Sequence, residues 1–229
     1  MITVQTLLAA GLIASAYLVG SIPASYLIGR FAKGIDIRER GSRNLGVSNL
    51  TAQAGAWWAV PAVLFDVLAK GTLPVLIASD KVLGLGLGME VAAGIAGIAG
   101  HNWSIFSGLR GGRGMATVLG SMGALNLPLL IVYGSIPALG VLFTPWKDSA
   151  VWWMIGVILL PVWAALLNLP LEIIIFSCVF TALTASKRMT SNSLRGANAQ
   201  IDVKLLLTRL VFDRDTVDRE AWLNQQRES

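Results

Sequence analysis

Charge is scarce in this sequence: Asp, Glu, Lys and Arg make up 14% of its 229 residues, while 55% are hydrophobic. A soluble domain carries roughly a quarter of its residues charged, and one core cannot enclose this much apolar surface, so lipid is the expected solvent. Cysteine is nearly absent. Cys178 alone makes neither an internal disulfide nor a cysteine metal cluster, and within its apolar run it reads as a small buried hydrophobe. Histidine is as rare, and the single His101 leaves any metal site short of ligands; no metal and no cofactor are expected. The long apolar runs lack the strict alternation of membrane-barrel strands, which excludes that architecture. Also missing is a basic start. The first 29 residues carry no charged side chain, whereas a cleavable signal has a basic start and a shorter apolar region, so this segment reads as a retained first span. No internal repeat or low-complexity tract is present.

What the sequence does have is a series of apolar segments near the 20 residues that a bilayer core of about 30 Å requires. They cover residues 6–28, 54–78, 82–106, 115–144, 150–167 and 171–186. The fourth is too long for one straight span, and Asn126-Leu127-Pro128 breaks it in two. The count is then seven helices, some short or half-spanning. With the N-terminus outside, the inside loops hold Arg30, Lys33, Arg38, Arg40, Arg43, Arg110, Arg113 and Lys147, and the outside turns hold only Lys81. That asymmetry follows the positive-inside rule and places the C-terminus in the cytoplasm. The net charge of +5 thus reports loop placement rather than nucleic-acid binding. The third span, rich in glycine at positions 84, 86, 88, 94, 97 and 100, suits close helix packing in lipid. Residues 1–186 form the expected membrane domain and 187–229 a tail. Within the tail, residues 201–212 place apolar side chains over a broad helical face, suited either to the lipid surface or to a protein partner.

Two inside loops and two spans carry the polar residues that suggest chemistry. The first loop contains Asp36-Ile37-Arg38, then Gly41-Ser42-Arg43-Asn44-Leu45-Gly46-Val47-Ser48-Asn49. Glycine permits turns that aim successive N–H groups at an anion, and arginine adds a charged fork suited to phosphate. The second contains Gly100-His101-Asn102, then Gly111-Gly112-Arg113-Gly114 leading into an apolar helix. Its spacing is not that of a Walker A loop, but a glycine-rich turn at a helix N-terminus is a general anion site. His101 reads either as a general base or as a hydrogen-bonded helix-end residue. Asp66 and Lys70 lie four apart inside the second span, where pairing offsets part of the cost of burying charge in lipid. Glu90 is a candidate third member of that group.

These motifs, with Gly20-Ser21-Ile22-Pro23 in the first span and Lys70-Gly71-Thr72-Leu73-Pro74 in the second, resemble the bacterial acyl-phosphate:glycerol-3-phosphate acyltransferase family (the PlsY type). The resemblance is clear over residues 20–120 and weaker to about 198. It implies an all-α integral membrane enzyme of the bacterial cytoplasmic membrane, with active-site loops on the cytoplasmic side. The implied reaction transfers an acyl group from acyl-phosphate to sn-glycerol-3-phosphate, giving lysophosphatidate. The implied catalytic contacts fall on Ser42, Arg43 and Asn44. Substrate-phosphate contacts fall on Gly46, Ser48, Asn49, Asp66, Lys70, His101, Asn102, Gly111, Gly112, Arg113 and Gly114.

The sequence departs from the family pattern at several places. Arg113 stands where the family usually has lysine, and Arg43 where it usually has glycine. Ala52 replaces an expected arginine. The third motif, His-x-x-Asn with a later Glu, becomes Ser186, Met189 and Asn198. Two readings follow: a working acyltransferase with a drifted site, or a homologue that lost turnover and serves as a lipid- or phosphate-binding subunit of a membrane assembly, docked through its tail.

Overall fold

The structure, a computed structural model, describes residues 3–190, 202–218 and 222. All regular structure among the described residues is helical. Helix α1 (Val4–Ser21) meets Pro23, and the chain continues almost at once as α2 (Ala24–Lys33), ended by Gly34 in the left-handed conformation. Helix α3 (Val47–Ala54) rises from a stretch expected to be loop. Its eight residues are mostly polar and too few for a periodic signal. Their order comes from Leu50, buried with Ile37, Leu45 and Ala62 in a small cluster under the first loop.

The second span is one rod in three parts: α4 (Ala56–Leu64), a π-helical stretch (Phe65–Thr72) and α5 (Leu73–Ala78). The turn that follows is longer than the expected Ser79-Asp80-Lys81, since Gly84 and Gly86 both take positive φ. The third expected span accordingly shortens to α6 (Leu87–Asn102). The glycines near its C-terminal end do the packing work expected of them. A Cβ on Gly97 would sit 2.2 Å from the Lys70 carbonyl oxygen, and one on Gly100 would sit 2.2 Å from that of Tyr17. Backbone against backbone is therefore how α6 meets α1 and the π stretch.

Helices α7 (Met115–Leu125) and α8 (Leu127–Phe143) divide at Asn126, as expected. Asn126 caps α8 by accepting the Leu129 N–H, and Pro128 occupies its first turn. Helices α9 (Ser149–Leu166) and α10 (Leu171–Thr190) complete the bundle. The main core joins α6 to α10 through Val118, Met122, Tyr133, Leu160, Phe176 and Phe180. Leu64, Leu68, Ile131, Leu142, Ile158 and Leu171 point outward. Cys178 is also on the exterior rather than buried as its apolar run suggested.

Four helices are long and apolar enough to cross a membrane: Val4–Lys33, Ala56–Ala78, Ser149–Leu166 and Leu171–Thr190. The molecule is an all-α, multi-span membrane protein. The amphipathic tail segment forms α11 (Val203–Phe212), and it docks on its own chain. Arg188 of α10 donates to the carbonyls of Leu210 and Val211, and Arg214 just beyond α11 pairs with Asp148 at the start of α9 at 2.6 Å.

Candidate active site

Asp66 and Lys70 face inward from the π stretch, 1% and 2% exposed, with the Lys70 Nζ 2.8 Å from Asp66 Oδ1. Their third partner is His101, in the last turn of α6, and not Glu90. Glu90 lies eleven residues earlier in the first turn of that helix, about 16 Å away along the axis at 1.5 Å per residue. The His101 Nδ1 is 3.6 Å from Asp66 Oδ1 and 3.3 Å from Lys70 Nζ. With Lys70 protonated, its ammonium donates to Nδ1, which leaves the ring proton on Nε2. That nitrogen faces Gly112, where an added Cβ would lie 2.1 Å from it.

Gly111 and Gly112 are pressed onto the end of α6. Gly112 N–H donates to the His101 carbonyl at 3.1 Å, and a Cβ on Gly111 would meet that same oxygen at 2.1 Å. Gly114, at φ 71°, turns the chain into α7. Beside it lies Asn102, fully buried, with neither side-chain amide atom hydrogen-bonded. A cleft of about 180 Å³ opens here, lined by Ser21, Leu45, Lys70, His101, Ser104 and Gly112 among others. It brings together the first span, both loops and the intramembrane charges. First-turn N–H groups of α7 lack intrahelical acceptors and carry the positive end of the helix dipole.

The first loop is organised from within. Asn49 is the knot: its Nδ2 reaches the carbonyls of Ile37, Arg40 and Asn44 at 2.8, 3.2 and 3.0 Å. Its Oδ1 accepts the Ser42 N–H at 3.3 Å. Asn49 therefore shapes the loop from its interior. Asp36 accepts from Arg38 at 2.6 Å. Hydrogen bonding from that guanidinium holds the Asp36 carboxyl below the usual carboxylate range and raises Arg38. The pair thus steadies the loop at neutral pH, and its contribution is lost as pH falls through the lowered value. Arg43 has φ 54°, the left-handed backbone that glycine adopts without strain. The side chains of Arg43 and Ser48 are exposed, whereas Asn44 is buried with its Oδ1 lacking a hydrogen bond. Leu45 is the loop's residue in the cleft wall; Ser42, Arg43 and Asn44 do not line it.

Arg113 does not simply stand beside the α7 N-terminus. It is 7% exposed, and its Nε donates to Asp213 of the tail at 2.6 Å. Sequence reasoning also missed Lys187 and Arg188, which read as ordinary tail charges. Both are buried in the last turns of α10, with the Lys187 Nζ 5.4 Å from the Trp103 ring centre. Ser104 was missed as well; its hydroxyl donates to the Ser21 carbonyl and ties the second loop to the first span. The signal for Lys187 and Arg188 was their place on an apolar stretch that continues the helix to Thr190. Of the drifted third-motif positions, Ser186 and Met189 lie on α10 and Asn198 lies outside the described residues.

A multi-span helical bundle with a buried Asp-Lys-His group against a glycine loop defines an integral membrane protein built around an anion site. The sequence pattern of glycerol-3-phosphate acyltransferases matches residues 10–198, and the chain belongs to that family. It is 33% identical to glycerol-3-phosphate acyltransferase 5 of Dehalococcoides mccartyi over 216 residues, 91% of this chain and 90% of that one. It is 40% identical to the glycerol-3-phosphate acyltransferase of Halalkalibacterium halodurans over 129 residues, 56% and 62% of the two chains. Among solved structures it is similar to PlsY, an integral membrane glycerol 3-phosphate acyltransferase, in its glycerol 3-phosphate form. There the TM-score is 0.71 and the identity 28%, over 79% of this chain and 88% of that one. The lysophosphatidic acid form of the same protein aligns with a TM-score of 0.69.

Proposed function

We propose that this chain transfers a fatty acyl group from acyl-phosphate to a hydroxyl of sn-glycerol-3-phosphate, releasing lysophosphatidate and inorganic phosphate. The observation that carries the reading is the cleft in which Lys70 and His101 meet Gly111 and Gly112, in a chain of this family. The acceptor hydroxyl attacks the acyl carbonyl carbon, the new ester C–O bond forms, and the bond from that carbon to the phosphate oxygen breaks. Phosphate is a good leaving group, so little acid assistance is required. A phosphate oxygen, with a second pKa near ~6, accepts the hydroxyl proton. The protein's share is positioning and charge stabilisation. Lys70 and Arg113 supply cationic charge, the α7 first turn supplies N–H donors, and the loop of Ser42, Arg43 and Asn44 supplies contacts to the substrate that enters over Leu45. Gly46, Ser48, Asn49, Asn102 and Gly114 shape or complete these contacts. Asp66 balances Lys70, and the His101 Nε2 proton points toward the bound phosphate.

In the same reading the chain crosses a bacterial cytoplasmic membrane seven times with its N-terminus outside. Residues 1–186 form the membrane unit and 187–229 a cytoplasmic extension. The test is acyl transfer by the purified protein in nanodiscs supplied with acyl-phosphate and labelled glycerol-3-phosphate. Ser42→Ala and Gly112→Ala should each lower turnover by at least about tenfold, the second because its Cβ cannot coexist with His101. A folded wild-type protein without turnover would instead support a non-catalytic phosphate- or lipid-binding subunit.

A further inference from the structure

The family pattern stops at residue 198, yet a residue well beyond it touches the candidate site. Asp213 sits at the C-terminal end of α11 with φ 56°, a backbone that L-residues other than Asn and Asp rarely visit. The turn is held there from several directions. Its own N–H donates to the Arg209 carbonyl at 2.9 Å. Arg188 clamps the two preceding carbonyls and, with the same nitrogen, that of Ala150. Arg209 pairs with Asp215 at 2.6 Å and reaches the carbonyl of Met189 at 3.2 Å, so the tail seats on the drifted third-motif stretch. Arg214 fixes the far side of the turn to Asp148. What this scaffolding presents is the Asp213 carboxylate, on the Nε side of Arg113.

An unusual backbone persists only where its surroundings over-determine it, and here the surroundings aim one carboxylate at one guanidinium. Arginine recognises phosphate through a planar fork whose direction matters. Asp213 engages Nε, and the edge formed by the two terminal nitrogens is not the one it takes. Holding Nε fixes the plane of the group, as outer hydrogen bonds orient metal ligands. We infer that Asp213 is a positioning residue: the tail sets the Arg113 guanidinium for substrate phosphate and replaces the support that the third motif gives elsewhere in the family. The inference rests on the reading of Arg113 as a phosphate ligand.

The test uses the full chain in nanodiscs and two readouts, thermal stabilisation by inorganic phosphate and inhibition of acyl transfer by that same product. Asp213→Asn should weaken both by about tenfold, and Asp213→Glu should recover part of the loss. Asp215→Asn frees Arg209 and loosens the same cap without touching Arg113. It should lower the melting temperature while leaving phosphate affinity in place. In an Arg113→Lys background, adding Asp213→Asn should cost little more, which keeps the inference testable if Asp213→Asn alone folds poorly. Tighter or unchanged phosphate binding in Asp213→Asn, or an equal loss in Asp215→Asn, would overturn the inference, as would a wild-type protein indifferent to phosphate. Phosphate stabilisation in a wild type without turnover would sink acyl transfer alone and leave the positioning role standing.

Discussion

Asp66 and Lys70 are the residues whose presence most needs explaining, because each is costly to bury and the two persist only as a pair. Removing one member leaves an uncompensated charge, so Asp66→Asn should destabilise the protein by about 3–5 kcal/mol. Replacing both, as Asp66→Leu with Lys70→Met, should recover most of that stability while abolishing acyl transfer. Thermal unfolding in detergent, read alongside the transfer assay, separates the two effects. Arg43 poses the opposite case. Its positive φ costs a side-chain-bearing residue about 1–2 kcal/mol, so Arg43→Gly should raise stability by about 1 kcal/mol. If Arg43 contacts substrate, the same variant loses activity, and a rise in melting temperature with a fall in rate is the expected combination.

Among the elements, the glycine-lined face of α6 makes the sharpest claim. Gly97→Ala forces a methyl against the Lys70 carbonyl, and separating the two backbones should cost about 1–3 kcal/mol and displace Lys70 from His101. Loss of turnover larger than the loss of stability would mark that displacement. The helices themselves were largely legible, because long apolar runs broken by Asn-Pro or Gly leave few alternatives. The split at Asn126 fell where the sequence placed it. Helix α3 was not legible, since its order depends on Leu50 finding Ile37 and Ala62 from distant parts of the chain. Nor was the start of α6, where Val82 and Leu83 continue the apolar run but Gly84 and Gly86 turn it. Of the site, the glycine loop and the charged pair were readable as residues, whereas the choice of His101 over Glu90 as their partner was decided by the crossing of α6 on the π stretch.

For the whole molecule, the tail was the least legible part. Its charges read as solvated, yet Arg188, Arg209 and Arg214 are buried and paired across helices far apart in sequence. The expected orientation remains open to a direct measurement. In a Cys178→Ser background, Lys81→Cys should react with an impermeant thiol reagent from the outside of intact cells, and Arg110→Cys only after permeabilisation. The reverse pattern would invert the topology. The π stretch between Phe65 and Thr72 bears on how such a chain can change over generations. Losing one residue there would restore ordinary helical bonding locally, but it would turn everything downstream on that rod by about 100°. Val75 and Ala78, now fully enclosed, would swing toward the exterior, and Gly71 would leave its seat against α7. Insertions and deletions should therefore be far rarer inside this rod than in the loops at its ends, and the extra residue of its wide turn, once gained, is effectively locked in.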